Sequence, residues 1–250
     1  MVRRQAPLLT LLFGVAVAAV LLLAPLLPEP TSADSYRVAL YLSGVVFFLL
    51  VGWFCASLLP LRARSVRWTV VAVIGLLAAV LTLNVLEVPV ASDIAKVSFG
   101  ALAGIGLARA IERPWWLLPI CVCVPLADAW SVFSSKGVTN AVVERAKTEP
   151  AWIEWPTIAA PIAGLPYEYF GRLGIVDILF MTLFFAVAAF ADLGLRRAAW
   201  ILPLGFVATT AISAETELAI PALPILCLLF LILFMPALVR DLRAEFSTRS

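Results

Sequence analysis

Two aspartates stand alone in apolar surroundings: Asp128 is the one charge between Pro114 and Ser135, and Asp177 the one charge between Leu173 and Ala191. Placing a carboxylate in a bilayer costs ~2.5–3.5 kcal/mol on insertion scales, so such residues face the protein interior and mark function. Each acid alone would also serve as a helix-packing hydrogen bond. Facing one another, two carboxyls cannot easily both ionise, and the pair holds a shared proton over a working pH range. The ionised member can then activate water as a general base, while the protonated member donates to a carbonyl oxygen that is becoming tetrahedral.

The chain has no histidine. That removes serine–histidine triads, HExxH zinc sites and histidine-ligated haem together. Cys55, Cys121, Cys123 and Cys227 all lie in apolar runs without CxxC spacing and read as buried thiols. No metal set and no cofactor motif is expected, so a carboxylate pair is the one proteolytic mechanism left open. A net charge of +2, with its basic residues in short scattered clusters, gives no footprint for a nucleic acid.

The elements that must position these acids follow from composition. Of 250 residues, 63% are hydrophobic and 14% charged. A soluble domain carries about 25% charged residues, and a spanning helix needs about 20 apolar ones, so the chain reads as an all-α polytopic membrane protein. Eight apolar stretches are expected to span the bilayer: 7–27, 38–60, 68–86, 90–108, 114–135, 173–191, 198–214 and 218–239. The first exceeds the ~7–15 apolar residues of a secretory signal and reads as a retained span. With the N-terminus inside, 12 of the 18 basic residues fall on the inner side, which puts both termini in the cytoplasm.

On this path Asp128 lies about 10 Å and Asp177 about 6 Å from the same outer surface, at ~1.5 Å per residue. Adjacent antiparallel helices would bring them to one level. Asp128, Ser131 and Ser135, at i, i+3 and i+7, form a polar stripe that reads as a water path. The connection 136–172 is long enough to have a function. Val138 to Lys147 reads as a short helix, and Pro150, Pro156, Pro161 and Pro166 predict an extended chain thereafter. Asp93 and Lys96 read as a surface ion pair at the outer end of the fourth span. Gly100 and Gly104 make a GxxxG that lets a neighbouring helix approach.

The residues also carry a resemblance. Asp128-Ala-Trp-Ser-Val-Phe, with Lys136-Gly137 and Val142-Val-Glu-Arg-Ala146 after it, resembles the first-aspartate region of presenilins, signal peptide peptidases and their archaeal relatives. Gly174-Ile175-Val176-Asp177 is similar to the GxGD motif of their second aspartate, and Pro221-Ala222-Leu223 to their PAL motif. The order of the motifs is more specific than any one of them, and it covers residues 114 to 239. Family members usually have one more N-terminal span, a Tyr at the position of Ala127 and a Gly at that of Val176.

The resemblance implies a presenilin-like fold with a four-helix membrane region at 1–113 and a catalytic membrane region at 114–250 within one integral domain. It implies Asp128 and Asp177 as the catalytic dyad and Gly174, Pro221, Ala222 and Leu223 as substrate-binding residues. The extended stretch before Asp177 is then expected to pair with an unwound substrate as a β-strand. The activity implied is intramembrane aspartyl proteolysis in a prokaryotic plasma membrane, without a cofactor, on the transmembrane helix of a single-pass protein or on a signal peptide. Two other readings remain: a weak or inactive relative that binds membrane helices, and a proton-coupled transporter using the acids as a relay.

Overall fold

The computed structural model describes residues 2–146, 148–149, 151–167, 170–216 and 218–247. Lys147, Pro150, Glu168 and Arg249, which entered the charge and proline readings, lie outside the described residues. The fold is that of an all-α membrane protein with one small hairpin. Its elements are α1 (Val2–Leu23), α2 (Ala33–Leu58), α3 (Val66–Val85), α4 (Pro89–Leu107), α5 (Leu117–Phe133), α6 (Val138–Ala146), α7 (Ala151–Glu154), β1 (Thr157–Ala160), β2 (Gly171–Gly174), α8 (Ile175–Phe190), α9 (Leu195–Thr216) and α10 (Ala222–Ser247).

Among the described residues seven helices are long and apolar enough to cross a membrane, and α8 is a shorter apolar helix. Each of the eight expected apolar stretches carries one of these helices. The sixth is corrected at its start: the helix begins at Ile175 rather than Leu173, because Gly171–Gly174 is strand β2. At 16 residues α8 is about 24 Å long. That is less than the ~30 Å hydrocarbon core.

The hairpin is the exception to an all-helical chain. β1 and β2 pair antiparallel, with Ala159 opposite Arg172 and Thr157 opposite Gly174. Pro156 and Pro161 bracket β1, and neither can donate to a helical ladder. The four residues between Pro150 and Trp155 still form one helical turn, α7, so the expected extended chain from Pro150 onward starts only at β1.

The most deeply packed helix is α8, in which Met181 and the run from Leu183 to Ala188 are buried. It packs on α4, α2, α9 and α10. The α4 contact explains the two glycines. A Cβ at Gly104 would stand 2.4 Å from the Leu179 carbonyl oxygen, and one at Gly100 3.0 Å from that of Ile175. The neighbour that the GxxxG admits is therefore the helix bearing Asp177. On the other side Phe184 of α8 stacks on Phe230 of α10, with ring centroids 4.5 Å apart.

Peripheral helices bury little. α3 buries only Thr69 and Val80, and α5 only Leu117 and Cys121. α5 packs mainly on α10 rather than against α8, so the two acidic helices are bridged by α10 instead of forming the adjacent pair expected. This also corrects the reading of the thiols. Cys55, Cys121 and Cys227 are buried, but Cys123 is exposed, because two residues along a helix turn it away from the α10 contact.

Candidate active site

The first aspartate is set by α5 and held by α10. Ala222 opens α10, so the backbone N–H of Leu223 is one of the donors that a helix start leaves unpaired. That N–H donates to Asp128 Oδ2 at 3.1 Å. Pro221, Ala222 and Leu223 all have buried side chains. What the PAL sequence offers the acid is thus a backbone donor at the positive end of a helix.

The second aspartate is held in a similar manner. Asp177 is the third residue of α8, and its Oδ2 accepts the N–H of Gly174 at 3.0 Å. Gly174 ends β2 and directly precedes the helix. A Cβ there would stand 3.0 Å from the same carboxylate oxygen, a tight approach that glycine avoids. Asp128 lies close enough for its charge to act on Asp177. Each carboxyl is pinned through Oδ2 by a backbone N–H, and each leaves Oδ1 without a protein hydrogen bond among the described residues. Each acid thus has one anchored oxygen and one free oxygen with which to take or give a proton.

Val176, in place of the glycine of the resembled motif, is 54% exposed beside Asp177. The structure therefore brings together Asp128, Asp177, Gly174 and the start of α10 at Pro221, Ala222 and Leu223. Among the described residues no three His, Cys, Asp or Glu side chains are grouped to hold a metal ion.

The polar stripe expected from Asp128 to the surface does not form. α5 ends at Phe133 and Ser134 is extended, so helical spacing does not reach Ser135. Ser131 instead fastens the turn into α6: its Oγ lies 2.8 Å from Thr139 Oγ1 and accepts the Thr139 N–H at 3.0 Å.

The ion pair of α4 is corrected more strongly. Asp93 and Lys96 are 0% and 2% exposed, not at the surface. The spacing alone fixed their common face, and Glu154, Ala159 and Tyr167 of the connection fold back over it. Asp93 Oδ2 accepts the N–H of Ala159 at 3.0 Å and the Tyr167 hydroxyl, and Lys96 donates to the Glu154 carbonyl at 2.6 Å. Burial, and then the Asp93 charge, push the Tyr167 hydroxyl well above the usual tyrosine range, so it stays a donor to Asp93. A signal for this was present in the sequence, since Asp93, Lys96, Gly100 and Gly104 share one helical face, but nothing local said what covers it.

Comparison of the chain with protein-family models, with curated proteins and with solved structures finds no match.

Proposed function

We propose that this protein is an intramembrane aspartyl protease of presenilin-like design. It hydrolyses a peptide bond in the transmembrane helix of a single-pass protein or signal peptide. The observation that carries the reading is that Asp128 and Asp177 are each fixed through one carboxylate oxygen by a backbone N–H at the start of a helix, α10 for Asp128 and α8 for Asp177, with the other oxygen left free.

In this reading the ionised acid takes a proton from the water as the water oxygen attacks the peptide carbon. The protonated acid donates to the carbonyl oxygen, giving a neutral tetrahedral diol. Collapse of the diol returns one proton to the pair and delivers another to the leaving amine, so the dyad ends with the single proton it began with. The helix starts at Gly174 and at Ala222 keep both carboxyls oriented through the cycle.

A helical peptide bond must be unwound before water can reach it, and the freed N–H and C=O groups need partners inside the bilayer. β2 has one edge paired with β1 and leads straight into Asp177, so its other edge offers a strand-addition site for the unwound segment. Binding of an aspartyl-protease transition-state analogue to the purified protein, with cleavage of co-expressed tagged single-pass proteins, tests the reading. A transporter would ignore the analogue, and an inactive helix-binding relative would retain the helix uncut.

A further inference from the structure

A buried ion pair is a poor stability device. Taking both charges out of water costs as much as their attraction returns, and well-packed apolar replacements are often neutral or better. Asp93 and Lys96 are such a pair, 3.3 Å apart. Their distribution of partners sets them apart. Beyond α4 their three hydrogen bonds go to Glu154, Ala159 and Tyr167, all within the connection that carries the hairpin.

These contacts close into a ring. Glu154, whose carbonyl accepts a hydrogen bond from Lys96, also pairs through its carboxylate with Arg172 at 3.3 Å. The Arg172 guanidinium sits 5.4 Å from the centre of the Tyr167 ring, and the Tyr167 hydroxyl returns to Asp93. Arg172 stands opposite Ala159 in the ladder, so the ring grips β1 and β2 at the same register position. Two residues further on, Gly174 gives its N–H to Asp177. Through Gly100 and Gly104, on the same face as Asp93 and Lys96, α4 also fixes α8. A single helix therefore holds both the acid and the strand edge that precedes it.

We infer that Asp93 and Lys96 are positioning residues that fix the hairpin edge relative to Asp177, and thereby set which peptide bond of the substrate reaches the dyad. The inference rests on the protease reading. Neither residue touches the reacting atoms; both act through the ring to β2. A substrate strand added to that edge moves as the edge moves, and a shift of one residue in register presents a different bond.

The test uses the full chain in lipid. Asp93→Asn alone leaves Lys96 buried without its counter-charge and risks misfolding. The informative variant is therefore the double replacement Asp93→Leu/Lys96→Met, with Lys96→Arg as the charge-conserving control. Hydrogen exchange is followed at residues 157–174, cleavage positions by mass spectrometry of the products, and binding by a transition-state analogue.

For the double variant, exchange at the Ala159 amide is expected to rise by about tenfold, the factor matching one lost net hydrogen bond. Cleavage should spread over neighbouring bonds and KM should rise, with analogue binding kept. Lys96→Arg should keep the wild-type cleavage position. Unchanged exchange, or loosened exchange with cleavage still confined to the wild-type bond, overturns the inference while leaving the protease reading intact. A wild type that neither cuts nor binds the analogue overturns the protease reading, and this inference with it.

Discussion

The amide of Leu223 donates to Asp128 Oδ2 across 95 positions of sequence, at 3.1 Å. This hydrogen bond ties the start of α10 to α5 where α5 has little other packing. It assigns the PAL sequence a physical task, because what reaches the acid is the Leu223 backbone N–H, while Pro221, Ala222 and Leu223 are all buried. Two replacements separate the two parts. Leu223→Ala keeps the N–H and removes buried volume, so it should cost ~2 kcal/mol of stability with the rate per folded molecule retained. Leu223→Pro, in a first turn that tolerates proline, removes the donor and should lower the rate by about tenfold or more. Thermal unfolding alongside single-turnover cleavage reads both, and equal rates per folded molecule would remove the hydrogen bond from the mechanism.

Asp128→Asn and Asp177→Asn should each abolish cleavage while leaving the fold intact. An amide keeps the shape but cannot alternate between base and acid, so losing one partner costs nearly as much as losing both. The wild-type rate should follow a bell-shaped pH profile that belongs to the pair. Cleavage by purified Asp177→Asn, unaffected by the analogue, would transfer the protein to the helix-binding alternative.

Val176→Gly should raise activity or leave it unchanged. The side chain is exposed beside Asp177, where a substrate backbone would approach, and glycine in a helix costs only ~1 kcal/mol. A large rate loss in a folded variant would mean that Val176 is a necessary wall of the cleft.

Gly104→Val should destabilise far more than Gly75→Val. A Cβ at Gly104 meets the Leu179 backbone at 2.4 Å, whereas at Gly75 nothing lies within 4 Å. Helix separation by the valine would also displace α8 and its acid, so activity should fall with stability at 104 and neither should fall appreciably at 75. Melting curves in one lipid or detergent compare the two directly, and equal melting points would mean that the α4–α8 approach is not a tight one.

Cysteine labelling on a background free of native cysteines should reach position 64 from the cytoplasm and the 136–172 connection from outside. The motivation is that 12 of the 18 basic residues fall on the inner side when the N-terminus is placed inside. Substrates with a cytoplasmic N-terminus should then be preferred. Labelling of position 64 from outside would reverse the orientation, and the substrate preference with it.

The helical stretches, their approximate limits and the isolation of the two acids were legible in the sequence because each depends on local composition. Apolar runs near 20 residues form helices in a bilayer wherever they occur, since no other open structure satisfies the backbone there. The GxxxG face of α4 was legible for the same reason: a spacing of four marks a face whatever lies opposite.

What lies opposite was a tertiary matter. Nothing within α4 says that α8 meets Gly100 and Gly104, that a hairpin covers Asp93 and Lys96, or that Cys123 is left exposed while Cys121 is buried. The stripe from Asp128 to Ser135 failed because α5 stops at Phe133, where the chain turns to pair Ser131 with Thr139. The dyad itself divides in the same way. That Asp128 and Asp177 are costly and must face inward follows from one residue and its neighbours. The Gly174 N–H that holds Asp177 is a local contact three residues away at the start of α8. That the Leu223 N–H holds Asp128, with α10 bridging two helices that do not pack mainly on one another, is decided only when distant segments share a space, because a backbone donor carries no signature in the side chain that names it.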